Sequence, residues 1–581
     1  MQKVDLVAND FPVGVRRPRE ATLDAPLPRA PSLPDLDLGQ EGLIRRLVGF
    51  VGRVTSSLSN GQLALLISAF LFAYGAWPLA LTAVPPYQDL PNHLAAATVI
   101  AHPERYPEFV FNGFFKTNSA LFTWLVVAGN FMSVTVAAKL FALIVLAMNA
   151  LVMPRFVLVL TGSRRKLVLA SLFMGPMVHN WFVSMGMLDF AMGVPLALLI
   201  LILLDKQRKT PSYKTGILMM LIAACTWYAH VMPLMVVHLL VAIHVMTRRT
   251  WAERFTQLKT LAMPLSPVTV LVLVSLYKHF TEPVGEMTGY VVLRDLLPTW
   301  ELFYNLWAEW FYGFTWLSIT TLVPCLALGL IGIWRAKEDV PFFSPIALAV
   351  LAALFVFSPY ITTNWFHVNS RFIPFLWMAF LVRVPDRLPR PLVVALGVCA
   401  IPYTIGMGVD FVRLDQDRAK FTAGIPSVPT GARLLPLIFT SKATSENTRS
   451  LLHAWGFYVM ERQTSAPLLF AHSRSFPVMY REPPPPRFNH LVLESFAPRM
   501  GNARWTCDTL RDGGVFTDDC EGAWRGHWAE FWAAALPAYD HVLLWDPTPE
   551  AKKLVPPEYR VKYEQDRLTI YERVDARAAT R

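Results

Sequence analysis

Charge is scarce in this chain. Of its 581 residues only 16% are Asp, Glu, Lys or Arg, whereas 54% are apolar. Soluble domains carry about 25% charged residues, so a set of water-exposed domains is excluded. Cysteine is scarce too, with five in all and no CxxC or Cys/His spacing, which excludes a structural zinc site of the usual kind. No Gly-rich loop follows a strand pattern, so a nucleotide-phosphate cradle is absent. The net charge is +11, yet no Lys/Arg stripe with interleaved aromatics runs through a polar segment, and nucleic acid is not an expected partner. A cleavable secretory signal is missing as well. Residues 1–60 are Pro-rich and charged ("GVRRPRE", "LIRRLVGFVGR"), and the first apolar block starts only near Gly61.

What is present is a series of apolar blocks long enough to span a hydrocarbon core about 30 Å thick, which takes about 20 helical residues. The mean hydropathy is +0.38. The chain reads as a polytopic α-helical membrane protein. Residues 1–60 read as a cytoplasmic, largely disordered tail, with a short basic amphipathic helix over Glu41 to Arg53.

The basic residues explain themselves as cytoplasmic loops under the positive-inside rule. They cluster at Arg45 to Arg53, "SRRK" (163–166), "DKQRK" (205–209), "TRRTWAERFTQLK" (247–259), "RAK" (335–337) and "RVPDRLPR" (383–390). An even number of spans must separate neighbouring clusters. Of the apolar pieces 62–83, 119–133 and 136–160, only two can therefore cross, and the shortest, "SALFTWLVVAGNFM", is expected to lie flat in a first outer loop over 84–135. The blocks 167–204 and 214–246 must turn outside the membrane, near "VSMGMLDF" (183–190) and "YAHVMP" (228–233). Spans near 261–279 and 312–334 flank an outer loop with Glu282, Glu286, Asp295 and Glu301; those near 342–360 and 372–384 flank "ITTNWFHVNSR". A last span, 391–410, leads outward, for about 11 spans in a membrane domain over 61–410.

Residues 411–581 are expected to form a small α/β domain outside the membrane. "GARLLPLIF", "APLLFA", "YDHVLLWD" and "RLTIYERV" read as strands and "RSLLHAWGFYVMERQ" as an amphipathic helix. Cys507 and Cys520 both lie there, where an oxidising compartment lets them pair.

On this topology the unusual polar residues gather at the outer face, and ionisable groups at that depth are costly enough to invite a functional reading. Asp89 and His93 in "YQDLPNHL" follow the first span, Asp189 and His230 lie in the next two outer turns, and His367, Asn369 and Arg371 lie in the fifth. Each also has a plainer reading. Asp89 precedes Pro91 and suits a helix start. His93, about one turn on, can share a divalent metal with it or simply be a buried ring. Asp189 and His230 suit tight turns, and Arg371 can snorkel to the interface. Arg371 nevertheless stands on the outer side, against the charge rule.

The cytoplasmic N-terminus, the acidic residue directly after span one in "YQDLPNHL", a flat helix before span two and an outer C-terminal domain together resemble the GT-C superfamily of membrane glycosyltransferases. Aminoarabinose transferases and protein O-mannosyltransferases are members. The resemblance covers the architecture of residues 60 to 420; the acidic pair frequent in the family's first loop is absent, since Gln88 and Leu90 flank Asp89. It implies that Asp89 is a catalytic base or orients the acceptor, that Asp189 in "MLDF" is a second catalytic acidic residue, and that Arg371 in "NSRFIPF" binds donor phosphate. His93, His230, His367 and Asn369 would then be substrate contacts. It further implies a polyprenyl-phosphate sugar donor, a glycan, lipid or protein acceptor, and a place in the bacterial inner membrane with a periplasmic C-terminus. A divalent metal is an open option. A transporter or flippase of lipid-linked saccharides would show internal repeats and charged, broken helices near the midplane, and neither is visible. A membrane scaffold with a periplasmic binding domain is the third alternative.

Reporter fusions after Arg165, Lys206 and Arg249 are expected to report cytoplasm, and fusions beyond Asp410 periplasm. A cytoplasmic C-terminal domain would put the assigned residues on opposite faces of the membrane.

Overall fold

Over the long apolar blocks among its described residues, the computed structural model is helical. It describes residues 57–281, 340–440 and 448–574, apart from short stretches within the last two ranges, and Leu302, Leu306, Glu309 and Trp310. The expected N-terminal amphipathic helix, the acidic residues of the loop after 281 and the span near 312–334 lie outside the described residues.

The helices run α1 (Asn60–Ala76), α2 (Leu90–Ala101), α3 (Ala120–Gly129), α4 (Val134–Thr161), α5 (Arg164–Val178), α6 (Trp181–Met185), α7 (Leu188–Lys209), α8 (Tyr213–Ala229), α9 (Val231–Met246), α10 (Trp251–Gln257), α11 (Ser266–Thr281), α12 (Pro345–Phe357), α13 (Ile373–Leu381) and α14 (Arg390–Thr422). Five helical stretches are long and apolar enough to cross a membrane: Asn60–Leu81, Val134–Thr161, Leu188–Lys209, Trp251–Lys278 and Leu396–Ser427. Their outward faces expose large apolar side chains in rows, such as Leu65, Leu66 and Phe70 on α1 and Val398, Ile401 and Ile405 on α14. Water tolerates such rows poorly and lipid favours them, so the protein is a multi-pass membrane protein. Helix α3, at ten residues, is about 15 Å long and too short to cross. The expected turns are there: Gly186, at φ 87°, ends α6 just before α7, and His230 separates α8 from α9.

Helix α14 departs from expectation. It continues from the apolar segment through Asp410 to Thr422, so its 33 residues reach about 50 Å. The boundary drawn at residue 411 marks a change of composition inside one helix, because helical hydrogen bonding does not depend on the apolar character of the side chains.

Short strands β1 (Phe109–Phe111), β2 (Ile361–Thr362) and β3 (Trp365–Phe366) precede α14; beyond it β4 (Leu434–Ile438), β6 (His541–Trp545), β7 (Tyr559–Gln565) and β8 (Leu568–Arg573) build a four-stranded sheet in the order β4-β6-β8-β7. Strand β4 runs parallel to β6, and β8 is antiparallel to both β6 and β7. Strands β4 and β6 are buried at every residue. Their alternate side chains serve two cores: Leu434, Ile438, Leu543 and Trp545 join the apolar cluster of the helical bundle, while Leu435, Leu437, Val542 and Leu544 join a second cluster. A doubly covered strand needs an unbroken apolar run, which is what "LLPLI" and "HVLLW" supply.

Two expected elements of the tail are different. "APLLFA" is not a strand. It runs as turns whose backbone groups are bonded by side chains: Asn92 Nδ2 donates to the Leu468 carbonyl and Phe470 N–H donates to Asn92 Oδ1, both at 3.1 Å, while the Tyr480 hydroxyl accepts from Leu469 N–H. "RSLLHAWGFYVMERQ" is helical only over α15 (Gly456–Arg462). Residues 451–455 are all buried, which leaves no polar face for an amphipathic helix, and they form successive tight turns instead. Strand β7 and the long helix α16 (Cys520–Ala538) were not expected. The Cys507 and Cys520 sulfurs are bonded, with Cα atoms 5.6 Å apart.

Residues Ser59–Arg581 pack as one unit, and the segment after α1 joins the helical bundle to the tail. Its strand β1 (Phe109–Phe111) pairs antiparallel with β5 (Val478–Tyr480) of the tail. Helix α2 lies between the two cores, with Leu90, Leu94 and Ala97 in the first and Ala95, Ala96 and Val99 in the second. The approach is close enough that a Cβ on Gly456 would sit 2.3 Å from the Pro91 carbonyl oxygen.

Candidate functional site

Asp89 stands at the N-terminus of α2, where Pro91 occupies the first turn. An acidic residue there would ordinarily bond the orphan amides of the helix. Its side chain makes no such bond. The backbone around it is clamped from below: Gln88 N–H and Asp89 N–H donate to the Ser184 and Met185 carbonyls at 3.1 and 2.9 Å. Gly186 lies so close that a Cβ there would meet the Asp89 and Leu90 nitrogens at 3.0 Å. The carboxylate turns instead to the tail. Asp89 Oδ1 lies 3.2 Å from His453 Nδ1, and the other ring nitrogen of His453 lies 3.0 Å from Glu494 Oε1. The His453 side chain is 2% exposed. Burial disfavours its charge, but the contacts with Asp89 and Glu494 outweigh burial and raise its pKa to about 9, so it is an imidazolium at neutral pH.

His93 lies one turn beyond Asp89, edge-on to Phe122 and Phe470, with ring centroids 5.2 and 6.0 Å away. Burial lowers its pKa to about 4, against the pull of Asp89, so it is neutral. Its Nδ1 is buried and has no hydrogen-bond partner among the described residues.

Arg371 and His230 meet in a second group. His230 ends α8 and begins α9; its Nε2 lies 2.5 Å from Arg371 Nη1. A guanidinium has only donors, so Nε2 accepts. The guanidinium also sits 5.2 Å over the Phe190 ring, a cation–π contact that eases burial of the charge. Beside it, Asn369 Oδ1 accepts from Ser370 N–H at 2.9 Å. Glu309 collects donors from three directions: His367 Nδ1 at 3.1 Å, Tyr360 Oη at 3.3 Å and the Ser370 hydroxyl. His367 takes a left-handed φ of 56°, rare for a non-glycine residue, and its ring also packs 4.9 Å from Trp181.

The two groups share a support rather than a direct contact. Helix α6 and the start of α7 carry the carbonyls under Asp89, the Trp181 ring against His367 and the Phe190 ring under Arg371. Asp189 belongs to the same segment but faces elsewhere: its Oδ1 accepts from Leu121 N–H at 2.8 Å. It thereby caps α3, whose own N-terminal Ser119 provides no side-chain bond.

Among the described residues no group of three or more His, Cys, Asp or Glu is arranged to hold a metal. His453, Glu494, Glu309 and Tyr360 were not candidates from the sequence. Glu309 lies in the stretch "TWELFYNLWAEWFYGF" (299–314), where the density of Trp, Tyr and Phe hides a single acidic residue. Nothing local in "RSLLHAWG" or "LVLESF" marks His453 or Glu494.

No family model matches the chain, and no curated protein does. Among solved structures it is similar to ArnT from Cupriavidus metallidurans bound to undecaprenyl phosphate. The identity is 10% and the TM-score 0.49, over 88% of this chain and 98% of that one.

Asp189→Ala is expected to lower stability by about 1–2 kcal/mol, the range for losing a helix cap, and Asp189→Asn by much less. Thermal unfolding in detergent checks both. An Asn variant of unchanged stability that has lost activity would instead give Asp189 a chemical role.

Proposed function

We propose that the protein is a membrane glycosyltransferase of the GT-C kind that moves a sugar from a polyprenyl-phosphate donor to an envelope acceptor on the periplasmic side of the inner membrane. One observation carries the proposal: the Asp89 carboxylate, at a helix start, does not cap that helix and lies beside the buried His453 ring instead. A carboxylate kept clear of its own helix is available for proton transfer.

In this reading a polyprenyl-phosphate sugar keeps its lipid in the bilayer and its phosphate at the outer interface. Asp89 takes the proton of the acceptor hydroxyl, whose oxygen attacks the anomeric carbon as the bond from that carbon to the phosphate oxygen breaks. The departing phosphate carries negative charge, and Arg371 neutralises it. His230 and Phe190 fix the guanidinium without taking its charge. His93, neutral and with an open ring nitrogen, suits contact with a sugar or acceptor hydroxyl, and His367 and Asn369 lie on the Arg371 side.

The test is transfer by purified protein in lipid nanodiscs, using a panel of polyprenyl-phosphate-linked sugars. Asp89→Asn is expected to remain folded while transfer falls roughly a hundredfold or more, the scale of general-base catalysis. Near-normal transfer by the folded Asn variant would remove Asp89 from the chemistry. Arg371→Lys is expected to weaken donor use, since a point charge cannot reproduce a two-pronged guanidinium contact, and Arg371→Ala to weaken it further. Unchanged donor binding by the Ala variant would return Arg371 to an interface role.

A further inference from the structure

The tail does more than cover the first outer loop. It sends a charged side chain onto Asp89. His453 sits in the tight turns before α15, which presses on α2 through Gly456 and Pro91. Two more contacts fix the register: Asn92 bonds the backbone at Leu468 and Phe470, and Arg449 N–H donates to Gln88 Oε1 at 2.8 Å. The groups facing the His453 ring are Asp89 and, one turn along α2, His93, with Glu494 from the tail and the rings of Trp455 and Phe470. Two carboxylates face one imidazole, and the side chains of Asp89 and Glu494 are only 13% and 17% exposed. The contacts of Asp89 fall on one oxygen: Oδ1 lies within ion-pair distance of His453 Nδ1, at 3.2 Å, and accepts from the Gln88 amide at 3.4 Å. Its Oδ2 makes no hydrogen bond among the described residues.

We propose that His453 is a positioning residue: it clamps Oδ1 of Asp89 and leaves Oδ2 to take the acceptor proton, so that the site is complete only with the outer domain docked. The role in transfer rests on the glycosyltransferase reading above; the clamp itself does not. His453 touches neither donor nor acceptor. Glu494 holds the far side of the ring, much as a carboxylate orients the histidine of a catalytic triad. Loss of the clamp lets the carboxylate rotate towards the free amides of α2, which removes it from the acceptor without touching the donor phosphate at Arg371.

The experiment compares wild type with His453→Gln, Glu494→Gln, Asp89→Asn and the Asp89→Asn/His453→Gln double variant, as full-length protein in nanodiscs. Turnover, donor KM and thermal unfolding are followed from pH 6 to 10. His453→Gln is expected to lower kcat about tenfold, the scale for groups that orient a catalytic residue, with donor KM unchanged; Glu494→Gln has the same effect in smaller measure. Wild-type activity is lost as pH rises through about 9, where His453 gives up its proton, and His453→Gln lacks that loss. The stability His453 contributes follows the same sign. Its folded pKa lies above the free value of about 6.5, so the contribution is complete below 6.5 and disappears through 9.

A folded His453→Gln variant with wild-type kcat, or with the same alkaline loss, overturns the proposal. So do strictly additive effects of Asp89→Asn and His453→Gln on unfolding temperature, whether or not transfer is seen. Non-additive unfolding effects without transfer from any donor support the clamp and overturn the glycosyltransferase reading instead.

Discussion

Helix α2 is the constraint on which the packing of the tail against the helical bundle depends. Its sequence, "LPNHLAAATVIA", has almost no face for water, and Leu90 to Ala97 are buried without a break. A helix of twelve residues is marginal alone in water and too short to span a bilayer. Burial from both sides is its solution, with the membrane bundle against Leu90, Leu94 and Ala97 and the tail against Ala95, Ala96 and Val99. The three alanines and Gly456 permit the close approach. Polar residues on such a helix must find partners within the packed layers, and this is why Asp89, Asn92 and His93 all point at groups from distant parts of the chain.

Buried charge follows the same economy. An isolated ion at this depth costs several kcal/mol, and the ionisable groups around the candidate site meet that cost with different partners. Asp89 and Glu494 share one imidazolium. Arg371 has a neutral imidazole and an aromatic face, Glu309 three donors, and Asp189 the amide end of α3. The Asp189, Glu309 and Asp89 solutions differ in what they leave over. One oxygen of Asp189 accepts from the Leu121 amide and Glu309 meets three donors, whereas Asp89 Oδ2 makes no hydrogen bond among the described residues.

Much of this was legible in the sequence, and the reason is periodicity and charge. The basic run at 247–250 falls between α9 and α10, the block at 119–133 holds a helix of only ten residues, and Gly186 and His230 end helices inside the two blocks where a turn is expected. Asp89 and Arg371 stood out because each sits where an ordinary membrane helix places neither. What could not be read depends on contacts between remote segments. "APLLFA" has a strand's composition, yet its backbone partners are Asn92 and Tyr480 side chains. "RSLLHAWG" has a helix's composition, yet its burial on all sides imposes turns. His453 carries no local mark at all, since its meaning comes from Asp89 at the other end of the chain. Asp189 looked like a second acidic residue of a site, and only the Leu121 amide shows what holds its carboxylate.

The central claim is that the Asp89 and Arg371 groups serve one reaction at the outer membrane surface. The most direct measurement is an experimental structure of the protein in lipid nanodiscs with a polyprenyl-phosphate sugar bound. The account predicts the phosphate within hydrogen-bond reach of the Arg371 guanidinium, the lipid chain leaving between the helices, and the anomeric carbon facing the free oxygen of Asp89. A donor phosphate bound away from Arg371, or a sugar turned away from Asp89 with His453 still clamped, would contradict it.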